Sequence, residues 1–300
     1  RHRAQAVYCY EDGALDTFKA AKRLGRRCFY DLPIGHWQTG QRIQREEAER
    51  NPAWAPTITA NRDSARKFER KDAELRLADA IFVASSFTLS TLKDLPGVTA
   101  PVVVVPYGGP PPSQVPREPR PPGSPLRVLF VGSLGQRKGL SYLLEAIELV
   151  SHPVELTLIG RPTGLCPPLT AALERHRWIA SLPNPEVLAQ MRNHDVLVFP
   201  SLFEGFGLVI LEAMAQGLPV ITTAHTAGPD LLTEGVDGFI VPIRSAEAIA
   251  ARLDLLATEP ERLTAMSEAA RATAARWPWS RYRADMVQGI RRLLDPGAAP

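Results

Sequence analysis

Apolar and polar residues fall in alternating blocks along this chain. Arg127 to Val131 (RVLFV) is a short, almost wholly apolar run, the pattern of a strand buried on both faces. The next block puts Leu140, Leu143, Leu144, Ile147 and Val150 on one side of a helix over Leu140 to Val150. Val154 to Ile159 predicts a second strand. Asn184-Pro185 predicts an N-cap and first helical position, opening a helix over Glu186 to Arg192, and Val196 to Phe199 a third strand. Leu208 to Ala215 predicts a helix ended by Gly217, Pro219 to Thr223 a strand, Pro229 to Thr233 a short helix and Gly238 to Val241 a last strand. Helices over Ala246 to Ala257 and Glu261 to Arg276 close the series. Strand and helix in turn mean an α/β domain with a parallel sheet and right-handed crossovers.

The first hundred residues repeat the pattern more weakly. Ala6 to Tyr10, Arg27 to Tyr30, Ala80 to Ala84 and Val102 to Val105 read as strands, with helices over Leu15 to Leu24 and Glu69 to Leu77. About four strands are expected where a doubly wound domain usually has five or six, so this domain is expected to lack its opening elements. Between the halves, Pro106 to Pro125 carries nine prolines and three glycines, which excludes helix and inner strand. The division expected is a partial first domain over residues 1–109, a linker over 110–125 and a second domain over 126–279. A C-terminal helix over 280–295 is expected to return to the first domain. Trp277, Trp279 and Tyr282 around Pro278 read as a kink packed on the core or, alternatively, as a peripheral membrane contact.

Composition narrows the choices. Among 300 residues, 45% are hydrophobic and 22% charged, which excludes a disordered chain. A net charge of +3 is too small to argue for nucleic acid and would not repel an anionic ligand. Cys9, Cys28 and Cys166 are scattered and odd in number, which points to a reduced, cytoplasmic compartment and no metal cage. No apolar run reaches the ~18 residues of a membrane span. The sequence begins at Arg1 with no signal-peptide pattern after it.

Candidate chemistry gathers where strands of the second half end, the edge at which open parallel sheets bind ligands. The first stretch is Gly132-Ser133-Leu134-Gly135-Gln136-Arg137-Lys138-Gly139, with two cations at the mouth of a helix. Free amides at a helix start already favour anions, and two added cations point to a diphosphate. The stretch is neither G-x-G-x-x-G nor a Walker loop. In the second, Glu204-Gly205-Phe206-Gly207-Leu208-Val209 leads into a helix carrying Glu212. Gly205 and Gly207 are expected to turn the amides of Phe206 to Leu208 toward a ligand. Eight helical residues span ~12 Å. That is too far for the paired carboxyls of a glycosidase, which stand ~5–9.5 Å apart. The spacing suits two separate grips on one extended ligand. A third stretch, Thr223 to Asp230 with His225 and Gly228, is weaker, and His225 reads equally as a ligand contact or a satisfied loop residue. Arg177 to Pro183, including Ile179 and Leu182, reads as a wall for a flat base or as core. Asp31 and His36 lie in a loop after a strand of the first domain. Arg42 to Arg50, basic with interleaved glutamates, reads as a solvated helix face.

The paired motifs Gly132…Arg137-Lys138-Gly139 and Glu204-Gly205-Phe206-Gly207…Glu212 resemble those of glycosyltransferase family 4, whose E-x7-E signature matches Glu204 to Glu212. The resemblance spans the second domain and continues weakly through Ala84-Ser85-Ser86 and Val105-Pro106-Tyr107-Gly108. It implies a GT-B fold, with two Rossmann-like domains facing across a cleft, and a retaining transfer of a hexose from a UDP- or GDP-linked sugar. Lys138 and Arg137 would hold the diphosphate, with Gly132, Ser133 and Gly135 around it. Glu204 and the amides of Phe206 to Leu208, with Val209 beyond, would face the sugar. Glu212 would take the ribose hydroxyls and the backbone near Ile179 and Leu182 the base. Asp31 or His36 would lie on the acceptor side.

Two departures qualify the match. The family usually has arginine after the first glycine, where this chain has Ser133, with Arg137 as the nearest substitute. The family's N-terminal glycine-rich loop has no counterpart in these residues. The resemblance further implies no metal or other cofactor, and a carbohydrate, lipid-linked or small-molecule acceptor. Other readings are a non-catalytic nucleotide-sugar-binding fragment and a related epimerase or phosphorylase. A phosphorylase would need a pyridoxal lysine, for which no distinctive candidate stands out.

Overall fold

The computed structural model describes residues 4–59, 63–93, 95–115, 117, 120–121 and 123–295. Pro116, Pro119 and Pro122 of the proline-rich run lie outside the described residues. The first lobe runs β1 (Ala6–Tyr10), α1 (Leu15–Arg23), β2 (Arg27–Leu32), α2 (Trp37–Arg50), a 3-10 turn (Pro52–Thr57), α3 (Ala65–Leu77), β3 (Ala80–Val83), α4 (Ser86–Ser90) and β4 (Val102–Val104). Its strands are parallel in the order β1-β2-β3-β4. The apolar strands sandwich Phe18, Tyr30, Leu32, Ile81 and Val83 into one core.

Two helices of the first lobe begin earlier than the sequence pattern predicts. Helix α3 starts four residues early because the Ser64 hydroxyl caps it, accepting from Lys67 N. Helix α2 starts at Trp37, capped by the His36 side chain, so Arg42 to Arg50 is only its second half. That half is no solvated face: Ile43, Gln44 and Glu47 are buried. An alternating charge run hides such positions because Ile43 and Glu47 meet the other lobe.

The second lobe runs β5 (Leu126–Val131), a 3-10 turn (Gln136–Lys138), α5 (Leu140–Leu149), β6 (Val154–Ile159), α6 (Pro167–Arg175), β7 (Arg177–Ile179), α7 (Asn184–Arg192), β8 (Val196–Phe199), α8 (Leu208–Ala215), β9 (Val220–Thr223), α9 (Gly228–Leu231), β10 (Gly238–Val241), α10 (Ala246–Thr258) and α11 (Pro260–Ala275). Its six strands are parallel in the order β10-β9-β8-β5-β6-β7. The central strands β5 and β8 are buried almost throughout, as their apolar runs require. Helix α6 and strand β7 escape the hydrophobic pattern. Pro167 and Pro168 look like a turn, yet the first helical positions tolerate proline. Strand β7 is a three-residue edge strand with two exposed side chains.

Pro278 does not kink one helix. It caps a separate helix, α12 (Trp279–Leu294), after α11 has ended. Helix α12 crosses to the first lobe, where Tyr282, Met286, Ile290 and Leu293 pack against Phe29, Phe82 and Val105. The proline-rich run is fastened to the second lobe: Ser113 N donates to Ala215 O at 2.8 Å and Arg120 Nη2 to Ala257 O at 2.8 Å. The lobes share a continuous apolar seam in which Ile43, Trp54 and Phe87 of the first meet Leu202 and Phe203 of the second. Phe203 anchors it, its ring lying where a side chain on Gly35 or Gly40 would otherwise be.

Candidate functional site

Strands β5 and β8 are neighbours in the sheet, so the loops leaving their C-terminal ends come together. A hollow of about 400 Å³ opens there. It is lined by Gly132, Ser133, Arg137 and Lys138 from the first loop, and by Glu204, Phe206, Gly207, Leu208, Val209 and Glu212 from the second. Val131, Phe199, Pro33 and Tyr107 complete it, the last two from the first lobe's side.

Lys138 is 8% exposed, and its ammonium sits 4.7 Å over the Phe199 ring while pairing with the Glu204 carboxylate. Arg137 reaches the same carboxylate at 3.4 Å and donates to Phe203 O at 3.0 Å. Burial pushes the Glu204 carboxyl up, but Lys138 and Arg137 outweigh it and hold the group below the usual range. Burial draws the Lys138 ammonium down, and Glu204 counters part of that. The two cations thus share one acid of the same hollow, and the trio keeps one net positive charge. Glu212 differs. It is half-buried on α8, accepts one bond from Asn184 Nδ2 at 3.1 Å, and burial raises its pKa.

Gly205, Gly135, Ile179, Leu182, Asp31 and His36, all singled out in the sequence, do not line the hollow. A β-carbon on Gly205 would lie 1.8 Å from Pro33 O, and one on Gly135 2.2 Å from Thr163 Oγ1 and 3.0 Å from Thr57 O. These two glycines permit close approach of the first lobe and a neighbouring loop, where the sequence pointed to a ligand. Ile179 O accepts from Gly160 N at 3.0 Å, and Ile179 and Leu182 pack against apolar core residues of the second lobe. Asp31 is buried beside Tyr8, which donates to it at 2.7 Å, and burial raises its pKa. His36 caps α2 and faces Asp72 at 3.4 Å, in a smaller cavity of about 40 Å³.

The third stretch serves the lobe junction. The His225 ring stacks on Phe87 at 4.6 Å, and Asp230 accepts from Ser86 N at 2.9 Å and Ser86 Oγ at 3.1 Å. Gly205 O accepts from the Ser85 hydroxyl and from Thr88 Oγ1, the latter at 3.1 Å. Trp277 and Trp279 find protein partners, Arg281 lying 3.9 Å over the first ring and Tyr107 beside the second. Sequence reasoning missed Phe199, Pro33 and Tyr107 as lining residues; the single signal for Phe199 was its place at the end of a strand. Among the described residues no group of three His, Cys, Asp or Glu is placed to hold a metal ion, and no helix is long and apolar enough to cross a membrane.

The profile of the family described as "Glycosyl transferases group 1" matches residues 114–273, just over half of the chain. The chain belongs to that family. Its curated relatives include the putative colanic acid biosynthesis glycosyltransferase WcaL of Salmonella typhimurium, 33% identical over 148 residues, which is 44% of this chain and 36% of the relative. The D-inositol 3-phosphate glycosyltransferase of Corynebacterium urealyticum is 30% identical over 185 residues, 55% of this chain and 42% of that one. This group 1 chain therefore spans well under two thirds of the length of either relative. Among solved structures, sucrose-phosphate synthase from Thermosynechococcus elongatus superposes with a TM-score of 0.76 at 18% identity, covering 98% of this chain and 74% of the other. Anabaena Alr3699/HepE in complex with UDP gives 0.70 at 16% identity, covering 95% and 78%. Both likenesses show the GT-B fold of two Rossmann-like domains.

Proposed function

We propose that the chain carries the donor site of a retaining glycosyltransferase, which moves a hexosyl group from a nucleoside diphosphate sugar to an acceptor hydroxyl. One observation carries this reading: Lys138, Arg137, Glu204 and Glu212 line one hollow at the ends of adjacent parallel strands. Its support from outside the site is membership of a family whose relatives bear glycosyltransferase names. The donor diphosphate takes the place of Glu204 on the two cations, and the freed carboxylate turns to hydroxyls of the sugar. Glu212, which accepts from the Asn184 amide on one oxygen, keeps acceptor capacity for the ribose hydroxyls.

As the bond from the anomeric carbon to the β-phosphate oxygen breaks, negative charge grows on that oxygen. Lys138 and Arg137 stabilise it from fixed positions, with no metal required. The acceptor oxygen bonds to the anomeric carbon on the face that the phosphate leaves, and its proton passes to the departing phosphate oxygen. The carboxylates position rather than attack. Asp31, beside Tyr8 on the first lobe, stands on the acceptor side; His36, tied to Asp72, supports α2 instead. The acceptor, a carbohydrate, lipid-linked or small-molecule one, is met in the cytoplasm.

A thermal-shift screen against UDP- and GDP-sugars tests the reading, because a ligand that binds only the folded state raises the melting temperature. A rise with one nucleotide series identifies the base. No rise with either overturns the donor reading.

A further inference from the structure

Helix α2 of the first lobe ends against the loop that carries the two cations. There Glu47, 1% exposed, brings a carboxylate into the seam. Its Oε1 accepts from Gln136 Nε2 at 2.7 Å, Tyr142 OH at 2.8 Å and Asn51 Nδ2 at 2.5 Å, and its Oε2 from Arg244 Nε at 2.9 Å. Three of these four donors belong to the second lobe. An ionised carboxylate loses its hydration when buried and is tolerated only with such a set of partners. Arg244 holds a left-handed backbone, φ 63°, that a non-glycine residue adopts only when its surroundings enforce it. Its guanidinium also reaches Glu46 Oε2 at 3.1 Å and Ile43 O at 3.3 Å.

Gln136 is the link that matters for chemistry. It is fully buried and opens the 3-10 turn Gln136–Lys138, so it is the residue before Arg137 and two before Lys138. Its backbone N donates to Thr57 Oγ1 of the first lobe at 3.0 Å. Its side-chain oxygen accepts from Ser141 N at 3.2 Å, at the start of α5. One side chain thus joins the cation turn, the helix behind it and the carboxylate of the facing lobe. Thr163 Oγ1 also donates across the seam, to Thr57 O at 2.7 Å, whereas the contacts of Ser85 and Thr88 end on Gly205 and that of Ser86 on Asp230.

We propose that Glu47 is a positioning residue for the donor diphosphate, acting through Gln136 to fix the turn that aims Lys138 and Arg137. The inference rests on the donor reading above, and it makes the first lobe part of the phosphate grip. The test uses the full chain and calorimetric titration with UDP, GDP, UMP and GMP. Glu47→Ala raises the Kd of the diphosphate that the wild type binds by about tenfold, and leaves that of the matching monophosphate within about twofold. Gln136→Leu, which keeps the bulk and removes both hydrogen-bonding ends, repeats the split from the other side and stands in if Glu47→Ala does not fold. Equal weakening of mono- and diphosphate, or none, overturns the inference.

Hydrogen exchange at the amides of Gln136 and Ser141 reads the link without any nucleotide. Both amides exchange faster in the variants than in the wild type, and unchanged exchange also overturns the inference. A wild type that binds neither UDP nor GDP while the amides still respond refutes the donor reading, and with it the role in diphosphate binding, but leaves the coupling of Glu47 to the turn standing.

Discussion

Glu204 and Glu212 lie on the wall of one hollow and live in opposite surroundings. Glu204 is inserted between Lys138 and Arg137, which hold its carboxyl below the usual range against the effect of burial. Among the described residues Glu212 accepts from a neutral amide, Asn184 Nδ2, and burial leaves its pKa raised. The first acid is therefore already spent on internal charges, and a ligand that engages the cations must replace it. The second is an acceptor waiting for donors. A motif that looks symmetrical in sequence holds a counter-ion at one end and an open hydrogen-bond acceptor at the other.

The largest effect that follows is on turnover. Lys138→Ala is expected to lower kcat by about 10²-fold, the loss typical of one donor removed from a developing oxyanion, with a smaller rise in the donor KM. Steady-state kinetics with the donor found by the thermal screen checks this, and an unchanged kcat would remove Lys138 from the mechanism. Next comes stability. Glu204→Gln leaves the buried Lys138 without its partner, and a loss of about 3 kcal/mol is expected in denaturant unfolding.

The pH dependence has a definite sign. The folded pKa of Glu204 lies below its unfolded value, so its contribution is complete above the unfolded pKa. It is lost as pH falls toward the folded one. The wild type should therefore lose stability over that acidic window, and Glu204→Gln should lose less. Parallel acid-unfolding curves for the two proteins would remove the basis of the comparison.

Glu212 gives the smallest effects, with the opposite sign. Its folded pKa lies above the unfolded one, so ionisation at neutral pH works against the fold, and stability is gained as pH falls through the folded value. Glu212→Gln is expected to raise the melting temperature slightly. The same variant should weaken nucleotide binding by about tenfold, as loss of a charged acceptor does, and leave kcat at saturating donor nearly unchanged. Calorimetry showing wild-type affinity would take the ribose away from Glu212.

Much of the second lobe was legible in the chain, because its strands are short apolar runs and its helices repeat every three to four residues. Such patterns depend only on which face is buried. Gly132, Lys138, Glu204 and Glu212 were legible as a group because each follows a strand of one parallel sheet, and strand ends of such a sheet converge. Glu47 was illegible for the reverse reason. Its helix shows alternating charges, and the donors that make burial of a carboxylate tolerable come from residues 89 to 197 positions away. Gly205 and Gly135 were read as room for a ligand, whereas the backbone of the first lobe takes up much of that room. Helix α6 was hidden by its two leading prolines, whose meaning as turn or helix start depends on what packs behind them.

By itself, then, the order of residues determined the two parallel sheets and the strand ends at which a ligand can meet cations and acids, since both follow from local periodicity and chain direction. Only the tertiary structure decided which charges pair with one another, which glycines line the hollow and which face a neighbouring lobe, and that Glu47 of the first lobe meets Gln136 of the second. Those outcomes depend on the distance and desolvation between groups far apart in the chain, and neither quantity is written in a local pattern.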